Sequence, residues 1–352
     1  MKAAIWYDKG DIRVVDVPEP PVPPEGWVKV AVEWCGICGS DLHEYLSGPI
    51  FIPVGEPHPL TGGTAPIILG HEFSGTIVEV GAGVENWKIG DRVAPDACQV
   101  CWECYSCRRM DYPCCDKLAF TGLHTDGAFA PYVNVPAYTL YKIPDEVSWE
   151  QAALVEPIAV GMHAVRRAPV LVGDNVVVIG AGTIGLSVLQ CAKAAGAKKL
   201  IVVELAKARK DFAKKLGADV VLDPTQCDVP AEVFKLTNGI GADVAVECVG
   251  SKATVPAAVN CIRPHGIAVT CGVFESEGPI NWNDVVFKEK EIKGSLGYNG
   301  EFAPVMGMLT DGRIDAETMI TGRIKLDDIL EKGFQELINH KDTNIKIIVS
   351  PK

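Results

Sequence analysis

Hydrophobic and polar positions follow two different rhythms along this chain. Up to about residue 150 the pattern is short and alternating. "WVKVAVEWCG" (27–36), "FSGTIVEVGAG" (73–83) and "FAPYVNVP" (129–136) alternate apolar and polar positions between glycine and proline boundaries. A period of two marks strands with one buried face, so this part predicts a β-rich domain. At "EVSWEQAALVEPIAVGMHAVRRA" (146–168) the spacing becomes helical. Ser148, with Gln151 three residues on, is a helix-start signal there.

From Asp174 the texture changes again. "NVVVIGAGTIGLSVLQCAKAAGAKKLIVVE" reads as a buried strand, a glycine turn, a helix and a second buried strand. "DFAKKLGADVVLD", "ADVAVECVG" and "HGIAVTCGV" continue the alternation, which predicts a doubly wound parallel sheet with right-handed crossovers. After about residue 295 short mixed elements return, and the last apolar run, "IKIIVSP", is expected to pair back onto the first domain. The expected division is therefore 1–153 with 296–352, and 154–295. Two domains also suit 352 residues, which exceed one comfortable core.

Composition narrows the function. Apolar residues make up 48% and charged residues 22%, as in a soluble globular protein. A net charge of −12 speaks against nucleic acid or an acidic membrane as partner, since binding phosphate needs clustered Lys and Arg. Charge and proline interrupt the N-terminal twenty residues, so no signal peptide is read. No apolar run reaches the roughly 18–20 residues that cross a bilayer. A cytoplasmic location is the expectation, and thiols stay reduced there. That bears on the cysteines. There are thirteen, an odd number that suits free or metal-bound thiols better than a disulfide framework, and six crowd into "CQVCWECYSCRRMDYPCC" (98–115).

Two constellations carry candidate chemistry. Gly180, Gly182 and Gly185 form G-x-G-x-x-G directly after the strand "NVVVI", open a helix, and are followed by Glu204 at the end of the next strand. This is the setting of a dinucleotide site, with glycines admitting the pyrophosphate to a helix N-terminus. Glu204 can accept from ribose hydroxyls and would repel a 2′-phosphate, which favours NAD over NADP. Arg209 either lies over the adenine end or is a solvated helix arginine. In the first domain, "CGICGSDLHEY" gathers Cys35, Cys38, Ser40, Asp41 and His43, while "GHE" adds His71 and Glu72 and "ALVEP" adds Glu156. Thiolate and imidazole suit zinc, and a catalytic zinc keeps one position for water or substrate.

"GICGSD", "GHE", the cysteine lobe and the glycine turn, in this order, resemble the zinc-dependent medium-chain dehydrogenases over essentially the whole chain. The resemblance implies an α/β protein: a β-rich GroES-like catalytic domain joined to a Rossmann NAD-binding domain. "GSDLHEYLSGPIFIP" followed by "PHPLTGGTAPIILGHE" is similar to the (R,R)-2,3-butanediol branch, and Glu156 is similar to the glutamate of the polyol and diol enzymes. By this resemblance Cys38 and His71 bind a catalytic zinc. The third ligand is Glu72 or Glu156, with Glu156 weighted slightly ahead and Glu72 able to exchange onto the metal. Asp41 would orient His71, and Cys35 would pack.

A second, structural zinc is implied in a lobe at about 96–116, with spacing C-x2-C-x2-C-x7-C. Cys101, Cys104, Cys107 and Cys115 meet that spacing, and four thiolates close the shell. Cys98-Cys101-Cys104-Cys107 is a rival register, and Cys114 is surplus. Trp102 and Met110 stand where the family often has glycine. The resemblance extends the cofactor set to Thr183, Ile184, Val249, Gly272, Val273 and Tyr298.

The implied reaction is hydride transfer between a secondary alcohol and NAD, with zinc stabilising the alkoxide. Ser40 would take a hydrogen bond from the substrate hydroxyl and His43 would pass the proton to solvent, unless it is a plain surface histidine. Tyr45 and Tyr298 are implied substrate contacts. Ile50, Phe51 and Ile52 are either apolar walls or loop packing. Gly297 sits where sorbitol-type enzymes tend to carry an arginine, so a short diol or hydroxyketone is expected: 2,3-butanediol to acetoin, and by extension acetoin to diacetyl. A polyol or threonine dehydrogenase is the competing enzyme, and a non-catalytic Rossmann–zinc interaction protein the competing class. A homodimer or homotetramer is implied by the family.

Overall fold

The computed structural model describes residues 1–274, 277–340 and 342–352. The chain forms two compact units. One comprises Met1–Glu156, Phe302–Thr310 and Ile320–Lys352, the other Pro157–Glu301 and Asp311–Met319.

A seven-stranded sheet organises the first unit. Its central strand, Trp27–Gly36, buries Val28, Val30 and Val32 completely, as the alternating pattern predicted. The sheet runs Leu140–Lys142, Arg92–Pro95, Glu72–Val80, Trp27–Gly36, Lys346–Ser350, Ile320–Lys325, and Tyr132–Pro136 also pairs with the central strand. The C-terminal strand does return as "IKIIVSP" suggested. It lies antiparallel to the central one, with Val349 opposite Cys35 and Ile348 opposite Gly36. Residues more than three hundred positions apart thus meet at the strand end that leads into the helix Gly39–Ser47. Phe73, Phe129, Phe334 and Trp6 fill the core beneath.

The stretch 48–66 leaves that helix and is tied down twice. Glu44, fully buried, accepts hydrogen bonds from the backbone N–H groups of Ile50, Phe51 and Ile52. Ile52 is buried in the core and Phe51 packs against it, while Ile50 is exposed. Further on, Thr61 Oγ1 donates to the His124 carbonyl, and the His58 ring meets that of His124 edge-on with 4.6 Å between centroids.

In the second unit six strands run parallel in the order Val220–Leu222, Lys199–Val203, Asn175–Ile179, Ala242–Glu247, Ile262–Thr270, Glu291–Gly294. The central strands are apolar on both faces, because helices cover both. Strand order reverses between Asn175–Ile179 and Ala242–Glu247, and at such a switch point the carboxyl ends of the strands open a crevice. Asp311–Met319 is held to this unit where Asp315 N–H donates to Gln190 Oε1 at 2.7 Å. Ser148 and Gln151 form the predicted capping box. The helical run behind them is broken at Leu154 into Trp149–Ala153 and Val155–Arg167. No helix among the described residues is long and apolar enough to cross a membrane.

Burial, with a smaller push from His58, lowers His124 to about 4. An unfolded His takes up its proton near 6.5. The stability that this neutral ring confers is present above that value and is lost as pH falls towards about 4. In His124→Gln, the urea midpoint should fall less between pH 7 and pH 4.5 than in the parent. The amide retains an acceptor for the Phe120 N–H that His124 Nδ1 now receives at 3.0 Å. Equal falls in the two proteins would dismiss this account.

Candidate active site

The turn from Trp27–Gly36 into Gly39–Ser47 places Cys38 at the N-cap, and Asp41 Oδ2 accepts from its backbone N–H at 2.9 Å. The other Asp41 oxygen faces His71 Nδ1 at 3.7 Å, and neither buried atom has a hydrogen-bond partner. Gly70 makes this approach feasible. Its φ is +100°, and a Cβ there would lie 2.8 Å from Cys35 Sγ and 2.9 Å from Phe129 N. Cys35 is buried in the core cluster, so it packs. On the opposite side of the ring, His71 Nε2 lies 3.3 Å from Ser40 Oγ. Ligand-type atoms of Cys38, His71 and Glu72 all fall within 4.8 Å of one another. Glu156 is not in that group, but it is buried close enough to feel both Glu72 and His71.

The electrostatics of this group call for a cation. Burial first and Glu72 second push the Cys38 thiol well above its ordinary range. The same two causes, in the same order, raise Glu156 to about 8, and burial raises Asp41 to about 6. Against these acids stand His71 and Lys346. The Lys346 ammonium is buried and donates to Glu72 Oε2 at 2.6 Å, to Oε1 at 2.8 Å and to the Ile37 carbonyl at 2.8 Å. Lys346 escaped the sequence reading; the signal was a lone cation inside the apolar run "IKIIVSP". A thiol, an imidazole whose second nitrogen faces a carboxylate, and carboxylate oxygens are the donor set that zinc takes.

A second group is closed. The sulfurs of Cys101, Cys104, Cys107 and Cys115 lie within 4.8 Å of one another, with Cys101 3.6 Å from Cys115 and 3.9 Å from Cys107. Tetrahedral zinc with Zn–S of about 2.3 Å implies sulfur separations of about 3.8 Å, so the cage fits the ion. Backbone N–H groups of Cys101 and Lys117 point at Cys115 Sγ, each at 3.4 Å. Cys98 lies in the strand Cys98–Gln99 opposite Phe120, outside this group, and Cys114 is exposed. Trp102 and Met110 take φ of +61° and +59°, so the lobe keeps a glycine-like backbone at both positions. Left-handed backbone costs roughly 1–2 kcal/mol in a non-glycine residue. At Trp102, edge-on contacts with Tyr112 (5.2 Å) and Tyr138 (5.0 Å) offset it.

In the second unit, Gly180 has φ +94°, and a Cβ on Gly185 would lie 1.8 Å from the Gly180 carbonyl oxygen. Gly182 caps the helix Thr183–Ala194 without a side chain, with Thr183 and Ile184 in its first turn. Glu204 accepts from Ala181 N–H at 2.7 Å across the turn and from Leu205 and Ala206 N–H. Arg209 lies against the turn, its Nη1 3.7 Å from where a Gly182 Cβ would sit. Val249 and Val273 are half exposed at the carboxyl ends of their strands, and Gly272 packs on Gly250 between them. A residue the sequence reading missed holds this edge: buried Glu247 accepts from Val249 N–H, Gly250 N–H and Thr254 Oγ1, each at 2.8 Å. Its signal was an acid closing an apolar strand. Such an arrangement suits a dinucleotide. Tyr298 is buried, in a loop held where Glu301 accepts from Asn299 N–H and Arg166.

Two expected contacts sit differently from the rest. Tyr45 packs edge-on against Phe334 at 5.6 Å and accepts a hydrogen bond from Gln335 at 3.2 Å. His43 lies half-buried on the helix Gly39–Ser47, which Cys38 caps.

Comparison with known proteins agrees with this geometry. Residues 24–145 match the alcohol dehydrogenase GroES-like domain and residues 183–311 the zinc-binding dehydrogenase domain. The chain is 45% identical to an (R,R)-butanediol dehydrogenase of Bacillus subtilis over the whole of both chains. It is 42% identical to one of Neisseria gonorrhoeae over all of this chain and 99% of that one. The chain belongs to the zinc-dependent medium-chain dehydrogenase family. The dehydrogenase also superposes on the crystal structure of 2R,3R-butanediol dehydrogenase from Bacillus subtilis with a TM-score of 0.94, at 44% identity, covering 100% of this chain and 99% of that chain.

In this dehydrogenase, Cys104→Ala should remove one metal ion per chain and lower Tm by more than about 5 °C, because the lobe has little core of its own. Metal analysis and calorimetry read both. Unchanged metal content would refute the cage.

Proposed function

We propose that this dehydrogenase interconverts (R,R)-2,3-butanediol and acetoin, and acetoin and diacetyl, with NAD(H). The convergence of Cys38, His71 and Glu72 in one buried group carries the reading, in a chain alike end to end to butanediol dehydrogenases.

Cys38 Sγ and His71 Nε2 would hold zinc, with Asp41 facing the Nδ1 side to orient the ring. Glu72, whose carboxylate lies within reach of both, would be the third ligand while paired to Lys346, and the neighbouring buried Glu156 would exchange with it. When bound, zinc supplies the Lewis acidity that acidifies a coordinated hydroxyl, and NAD supplies the hydride acceptor. Ser40, beside His71 Nε2, takes the proton of the substrate hydroxyl into a hydrogen bond. His43, on the same helix, passes it to solvent. Glu204 accepts from the ribose hydroxyls and disfavours a 2′-phosphate, while the glycine turn and helix N-terminus receive the diphosphate. Arg209, Val249 and Val273 line the same cofactor. Gly297, at φ +55°, brings no guanidinium to the Tyr298 loop, which suits a short diol better than a hexitol.

A homo-oligomer is part of the proposal. Glu291–Gly294 ends the parallel sheet, and the helix Trp282–Phe287 just before it exposes Trp282, Val286 and Phe287. A reducing, cytoplasmic setting keeps the cysteine cage available as free thiols for a metal.

Steady-state NAD reduction should favour (R,R)-2,3-butanediol over sorbitol, xylitol and threonine by at least about tenfold in kcat/KM. A clear preference for sorbitol would refute the argument from Gly297. Cys38→Ala should lose roughly a thousandfold or more of turnover yet bind NADH and keep its Tm, since it removes only the electrophile's anchor. Retained turnover, or a loss of Tm like that of Cys104→Ala, would overturn the division of the two sites.

A further inference from the structure

Cys248 and Cys271 belong to neither cysteine group above. Each follows directly on a strand of the second unit, Ala242–Glu247 and Ile262–Thr270 respectively. These strands pair in parallel with Glu247 opposite Thr270, so the next residues of each stand side by side on one face. Cys271 Sγ donates to the Glu247 carbonyl at 3.1 Å and to Cys248 Sγ at 3.5 Å. Both residues are partly exposed. Neighbouring strands lie about 4.7–4.9 Å apart, within the Cα span a disulfide bridges.

We propose that Cys248 and Cys271 are a redox modification site, joined reversibly into a disulfide by a low-molecular-weight disulfide oxidant, and that the bond weakens cofactor binding. The proposed mechanism above uses neither thiol. Cys271, after losing its proton to water, attacks one sulfur of the oxidant and expels the other half as a thiolate, which takes up a proton. Cys248 then gives its proton to solvent and attacks the Cys271 sulfur of the mixed disulfide, releasing the second small thiol. The two protein thiols together lose two electrons and the oxidant gains two. The Cys271 contact, and then burial, hold the Cys248 thiol well above its usual range, which makes it the slower first nucleophile and leaves the opening attack to Cys271.

The consequence follows from the lack of slack beside the pair. Bond formation closes 3.5 Å to about 2.05 Å. The strand ends beyond are already in close contact: a Cβ on Gly250 would lie 2.1 Å from the Val273 carbonyl oxygen, and one on Gly272 2.2 Å from Gly250 N. Segments 249–250 and 272–273 therefore shift as one. Val249 and Val273 are cofactor contacts in the function proposed above, and the effect on binding rests on that reading.

The test uses the full-length, zinc-loaded protein, oxidised with glutathione disulfide. Remaining thiols are then blocked and the protein digested for mass spectrometry, while NADH binding is followed by fluorescence. The expected result is a Cys248–Cys271 linked peptide, lighter by two hydrogens, with NADH Kd weakened about tenfold. Dithiothreitol should reverse both, and zinc content should not change. Cys248→Ser and Cys271→Ser should each keep their own reduced-state Kd through the treatment. Absence of the linked peptide, under conditions that glutathionylate the exposed Cys114, would overturn the site. A linked peptide with unchanged Kd, or a Kd change that persists in both serine variants, would overturn its action on the cofactor. Failure of the reduced protein to bind NADH would refute the cofactor reading instead, and the linked peptide would still decide the site.

Discussion

The Lys346 ammonium and the Glu72 carboxylate meet 2.6 Å apart, with side chains 2% and 1% exposed. Removing either partner of such a buried pair leaves a charge that water cannot reach, typically at a cost of about 3–5 kcal/mol. The rest of the first unit is arranged around avoiding that. Lys346 begins the C-terminal strand, Glu72 begins the strand after His71, and the central strand Trp27–Gly36 runs between them. The pair therefore fixes the register of three strands at the place where Cys38, His71 and Glu72 converge. It also distinguishes two acids: Glu72 carries a built-in counter-charge, whereas Glu156 is buried beside it and is raised to about 8 by burial and by Glu72.

The two cysteine-containing groups solve opposite problems. Around Cys101, Cys104, Cys107 and Cys115 the neighbouring apolar residues are few, and the four clustered sulfurs offer a closed cage in which a metal ion would substitute for a core. Around Cys38 the core already exists, with Phe73 and Phe129 packed beneath, so the donors there need not complete a shell. One group holds the chain together, and the other is held by it.

The second unit relies on close backbone approach more than on charge. Gly180 and Gly185 allow turn and helix to touch, Glu204 braces the turn from the neighbouring strand, and Glu247 anchors the loop at the switch point. All three devices sit at the carboxyl ends of parallel strands, where the backbone ceases to pair and its N–H groups turn outward. Cys248 and Cys271 lie on the same edge, directly before the close-packed segments 249–250 and 272–273.

Local pattern alone determined a good deal about this protein. The alternation in "WVKVAVEWCG", the capping pair Ser148 and Gln151, and the glycine spacing at Gly180–Gly185 each depend on neighbours a few residues away. Propensity and steric restriction act at that range. The thiol spacing of Cys101 to Cys115 is equally short-range. What tertiary structure alone decided involves groups brought together across long separations. Lys346 beneath Glu72, Cys248 against Cys271, Tyr45 turned onto Phe334 and Gln335, and the choice of Glu72 over Glu156 as the acid within reach of Cys38 and His71 belong here. A charge's partner and a side chain's burial are properties of the packed chain, and no residue's near neighbours in sequence report them.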